Sequence, residues 1–167
     1  MTHLRTTCAA LLLLALVGCE QENDDDVSDE TCTISGSLSG DLTAALPGPD
    51  GIACLSQFSS DDGFDVQFAT FTEHPIRVDL SVDGVTRGML GDAFPAEVRV
   101  YDDTTILGAS IDCTVDVTEH TLVGPVDFGE SWQIRGAGRC TGPLTLEDGG
   151  SVTIAPFMFA AEVTWTD

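Results

Sequence analysis

The chain has 167 residues and a formal net charge of −22, from 28 acidic against 6 basic side chains, none of them lysine. Such a field repels nucleic acid phosphates and anionic lipid heads, so neither is expected as a partner. The lack of lysine removes Schiff-base chemistry and any phosphate-loop lysine, and the length suits one domain with a real core.

At the start, Thr2 to Thr7 carry one certain positive charge, Arg5, and Cys8 to Val17 are apolar apart from the thiol. About ten residues suit a signal-peptide core and fall short of the roughly twenty a helix needs to cross a bilayer. The run ends in Leu16-Val17-Gly18-Cys19. These four residues resemble the lipobox of bacterial lipoproteins, a Leu-x-Gly-Cys type of motif cut just before its cysteine. The resemblance covers the opening segment and nothing beyond it. It implies that residues 1–18 are removed and that Cys19 becomes an N-terminus carrying a diacylglycerol, usually with a third acyl chain. Two or more chains anchor a protein stably. Glu20 stands where such lipoproteins often carry an aspartate when retained in the inner membrane, so the outer membrane is expected. The plainer alternative is an ordinary secretory signal with Cys19 incidental.

Residues 19–31 follow as a tether. From Glu20 to Thr31 only Val27 is apolar, so the run buries too little to offset ordering entropy and is expected to be a disordered, self-repelling spacer. Fully extended it reaches about 30–40 Å. Acidic tracts just after a lipidated cysteine also resemble surface-export signals of some envelope lipoproteins.

Residues 32–167 are expected to form one domain. With Cys8 removed and Cys19 assigned to lipid, Cys32, Cys54, Cys113 and Cys140 remain. Four cysteines in an exported domain read as two disulfides. Three connectivities are open, and spacing favours Cys32–Cys54 and Cys113–Cys140, each worth on the order of 3 kcal/mol. Strand parity puts all four facing inward. A four-cysteine zinc site is the weaker reading, with no Cys-x-x-Cys pair to support it.

The domain alternates with period two, the mark of half-buried strands. Phe64, Val66 and Phe68 alternate with Asp65 and Gln67. Ile76, Val78, Leu80 and Val82 alternate with Arg77, Asp79 and Ser81, and Asp83-Gly84 reads as a two-residue hairpin turn before Val85. Val98 and Val100 form a strand ended by Asp102-Asp103. Ile111 to Val117 and Trp132 to Cys140 follow, Gly136 and Gly138 marking a bulge or a close backbone approach. Leu144 and Leu146 are expected to pair with Val152 and Ile154 across Glu147-Asp148-Gly149-Gly150. Phe157, Phe159, Ala161, Val163 and Trp165 present one apolar face. Helical turns are plausible only at Leu42 to Leu46 and Met89 to Phe94, and the prolines fall mostly at strand ends. The expected fold is all-β, an antiparallel β-sandwich of about nine or ten short strands, with a small closed barrel as the alternative. A membrane-spanning barrel is disfavoured by outward Asp, Glu, Arg and Thr.

Residues for chemistry are sparse. His74 and His120 are far apart and expected in exposed loops. Neither a Gly-x-Ser-x-Gly elbow nor a His-Glu-x-x-His pair occurs. Carboxylates in turns are the remaining signal: Asp61, Asp62 and Asp65 around Gly63, and Asp102-Asp103 with Thr104. Calcium takes six to eight hard oxygens and suits such loops, although Asp and Gly are also ordinary turn residues. No cofactor is expected, calcium being the ion these loops would suit. The reading is a lipid-anchored, non-catalytic envelope protein with an unidentified protein or glycan ligand. The alternatives are a calcium-stabilised cell-surface recognition module and a hydrolase using paired carboxylates.

Overall fold

The computed structural model describes residues 31–46, 52–60, 62–70, 76–102, 105–146 and 149–166. The signal segment, Cys19, the tether up to residue 30, Asp61, His74, Asp103, Thr104 and Glu147-Asp148 lie outside the described residues.

Eleven strands run in chain order: β1 Thr33–Gly40, β2 Ala44–Leu46, β3 Ile52–Ser60, β4 Gly63–Thr70, β5 Ile76–Asp83, β6 Gly91–Asp102, β7 Thr105–Val126, β8 Gly129–Cys140, β9 Leu144–Leu146, β10 Ser151–Ile154 and β11 Phe157–Thr166. The fold is all-β and antiparallel, consistent with a sandwich. The strands are not uniformly short: β6 and β8 have 12 residues each and β7 has 22.

Two long strands are shared between neighbours, and this folds the sheet over one core. β7 pairs with β9 at Gly108 and Ala109, and with β8 from Cys113 to Val126. β11 pairs with β8 along its whole length, with β1 at Met158 to Ala160, and with β3 through one parallel bridge, Thr164 to Phe58. From β3 the antiparallel neighbours run β4, β5, β6, β7, β8 and β11, and that bridge returns the series to β3. Bulges between Val117 and Glu119 and between Leu122 and Gly124 let β7 bend along its length.

The core is built as the alternation requires. Phe64, Val66 and Phe68, Val78, Leu80 and Val82, and Phe157, Phe159, Ala161, Val163 and Trp165 are all buried. Cys32–Cys54 and Cys113–Cys140 are the disulfides present. Cys113 belongs to the core and the other three cysteines pack against it. Leu144 pairs with Val152 as expected.

Three local expectations are corrected. Leu42 to Leu46 is not a helical turn: Ala44–Leu46 is a strand against β1, and Leu46 seals the core. Met89 to Phe94 runs into β6, where a bulge between Gly91 and Phe94 puts Ala93 at φ 58°. Asp83-Gly84 turns the chain, with Gly84 at φ 79°, but it is no two-residue hairpin. Asp83 pairs with Gly63, Val85 plugs the core, and the chain continues through a loop to Gly91. Burying Val85 outweighs the short turn, because a fully buried valine is worth about 1.5–3 kcal/mol. Pro95 lies inside β6 rather than at its end. It precedes the first β5–β6 pair, Val82 with Ala96, so its missing donor costs no bond on that side.

Candidate functional site

With inward positions filled by Val, Leu and Phe, the odd-numbered residues of β4, β5 and β6 face outward. Register sets them in rows: Asp65 beside Ser81 beside Glu97, Gln67 beside Asp79 beside Arg99, and Ala69 beside Arg77 beside Tyr101. The first two rows line a shallow cleft of about 330 Å³.

Its charges are largely matched. Arg99 holds Glu97 with Nε and Nη2 at 2.8 Å each, a two-pronged pair that raises the guanidinium pKa above its ordinary value. Arg77 Nε lies 3.2 Å from Asp79, whose other oxygen accepts the Gln67 amide at 3.3 Å. The Arg77 guanidinium also covers the buried Tyr101 ring, 3.9 Å from its centroid. The result is an open polar surface of alternating donors and acceptors, suited to hydrogen-bonding a polar ligand.

Of the residues expected to hold calcium, Asp65 lies in this cleft. Asp62 lies exposed in the turn between β3 and β4, where its carbonyl accepts the Gly84 amide at 2.7 Å. Asp61 is outside the described residues. Among the described residues no three His, Cys, Asp or Glu side chains come together closely enough to hold a metal ion.

Sequence reasoning missed Asp79, Glu97 and Arg99 as neighbours of Asp65. The alternation marks each as outward, but the pairing of β5 with β6 depends on the length of the 84–90 loop. A hairpin at Asp83-Gly84 would have set a different register.

The second difference is His120. It is not an exposed loop residue but 8% exposed within β7, between the indoles of Trp132 and Trp165 with ring centroids 5.1 and 4.8 Å away. Its Nδ1 is 3.2 Å from the Met89 carbonyl. A carbonyl only accepts, so Nδ1 carries the proton and the buried Nε2 is left without a partner. Burial lowers the imidazole pKa, and the Met89 bond opposes this less strongly. His120 ties the 84–90 loop to the β7–β8 pair. Arg87 ties the same loop to β11 and β8, donating to the Thr166 carbonyl at 2.9 Å and lying 3.7 Å from Glu130.

Comparison of the chain with protein families, with curated proteins and with solved structures finds no match.

Proposed function

We propose that the chain is a lipid-anchored protein of the bacterial outer membrane whose β domain acts by binding or in a structural role rather than by catalysis. The observation that carries the reading is Leu16-Val17-Gly18-Cys19 after an apolar run, followed by an acidic tether. Two disulfides in the domain support an oxidising, non-cytoplasmic compartment. The open cleft supports binding. In that cleft Asp79 and Glu97 are each paired with an arginine.

Replacing Cys19 by Ser should move the protein from the membrane to the soluble envelope fraction, and membrane retention would refute the anchor. Protease added to intact cells, compared with cells whose outer membrane is permeabilised, then decides the face. Cleavage on intact cells directs the ligand search to glycans and neighbouring cells. Protection until permeabilisation directs it to periplasmic partners.

The cleft favours one second reading, a recognition module for a glycan or protein. In its calcium-dependent form, millimolar Ca²⁺ raises the melting temperature beyond an NaCl control of equal ionic strength. Equal shifts leave Asp62 and Asp65 as solvated surface.

A further inference from the structure

Six large apolar side chains lie exposed on two adjoining segments: Met89 and Leu90 of the 84–90 loop, and Leu122, Val123, Val126 and Phe128 of the β7–β8 hairpin. Phe128, in the turn, is 81% exposed. The only other exposed large apolar residues among those described, Leu55 and Met158, lie on separate strands. The two segments form one surface. Met89 is bonded to His120, and Gly88 lies beside the Trp132 ring, where an added β-carbon would be 3.5 Å away. Trp132 in turn is the cross-strand partner of Leu122.

The strand directions show what lies near this surface. Gly129, at the base of the hairpin turn, pairs with Thr166 at the end of β11. β1 runs antiparallel to β11, with Thr33 opposite Ala160 and Ser35 opposite Met158. The chain therefore enters β1 from the Thr166 side, the end that carries Phe128. From the Ala160 level to the Thr166 level is six residues of strand, or about 20 Å. Glu20 to Thr31 span up to roughly 40 Å when extended. The chain leading from Cys19 thus joins the domain from the end that carries the apolar hairpin, and its extended length is enough to reach past the tip.

We propose that the tip of the β7–β8 hairpin, with Met89 and Leu90, docks on the lipid bilayer that holds the anchor. The proposal rests on the lipoprotein reading of Cys19. Asp127 in the turn limits entry to the headgroup boundary. Asp62 and Asp83, also at this end, make an anionic bilayer the poorer host, so the surface is zwitterionic lipid. A second copy of the chain is a poorer occupant, because two strongly acidic molecules repel. The docked domain sits against the membrane and presents its opposite end outward.

The test uses the acylated full-length mature protein with F128W, reconstituted in phosphatidylcholine vesicles. The unsubstituted protein, which keeps Trp132 and Trp165, supplies the background. Phe128 is so exposed that its replacement leaves folding intact. Docking predicts a blue shift of the added emission and a loss of intensity when the acyl chains are brominated, both reduced by adding Val123→Ser and Val126→Ser. Quenching by aqueous iodide with none from brominated lipid overturns the docking and leaves the anchor standing. Protection from iodide without brominated-lipid quenching assigns the patch to a second copy and also overturns it. The mass of the N-terminal peptide is read on the same sample. An unmodified Cys19 overturns the anchor, and the docking proposal with it.

Discussion

Gly138 lies directly under the ring of its cross-strand partner Phe157: a β-carbon added at Gly138 would come within 2.1 Å of the ring. Gly136 repeats the arrangement two pairs along, opposite Phe159, where an added β-carbon would meet the Asp116 carbonyl at 2.5 Å and the Phe159 ring at 2.8 Å. The two glycines leave room on β8 for the aromatic rings of β11, which are buried. Gly138→Ala should therefore destabilise the domain by about 1–3 kcal/mol, the usual cost of overpacking. Pairing it with Phe157→Leu should recover part of the loss, which a double-mutant cycle of thermal melts would measure. Gly142→Ala, with its nearest atom at 3.8 Å, is the neutral control.

The disulfide between Cys113 and Cys140 joins directly opposed residues of β7 and β8 and closes a segment with a sequence separation of 27. Replacing both cysteines by Ser should lower stability by about 3 kcal/mol in denaturant melts. Replacing Cys32 and Cys54, separated by 22, should cost a similar amount. Melts that are unchanged by reductant would contradict both expectations.

His120 makes stability sensitive to mild acid. Its pKa is lowered in the fold, mainly by burial between two indoles, so the unfolded chain takes up the proton first. The full stability is present above the ordinary imidazole value of 6.5 and is lost as pH falls from there through the lower folded value. His120→Phe should flatten the melting temperature in this window. An identical slope in both proteins would show that imidazole protonation does not couple to folding.

Asp116 holds a strained piece of backbone through its charge. One oxygen accepts the Ala93 amide at 2.7 Å, at the residue with φ 58°, and the other accepts Arg139 at 2.8 Å. These bonds lower its carboxyl pKa, the Ala93 amide most. Their contribution is present above the ordinary carboxylate value of 3.8 and is lost as pH falls through the folded value. A carboxyl titration followed by NMR should find Asp116 below the ordinary value. Asp116→Ala should speed hydrogen exchange at Ala93.

Period-two alternation was enough to read the all-β class and the inward faces of β4, β5 and β11, and the cysteine spacing favoured the two disulfide pairs that form. A strand's sidedness is a local property: each residue faces opposite to the last, and apolar residues must leave water. Register and shared pairing were not. Whether Val82 turns back onto Val85 or pairs with Ala96 depends on how the whole core closes, and burying Val85 decided it. The same closure set Asp79, Glu97 and Arg99 beside Asp65, and enclosed His120 between indoles 12 and 45 residues away in sequence. It also left the β7–β8 hairpin tip exposed at the end where the chain enters. Each of these depends on contacts between distant strands, which only the tertiary structure brings together.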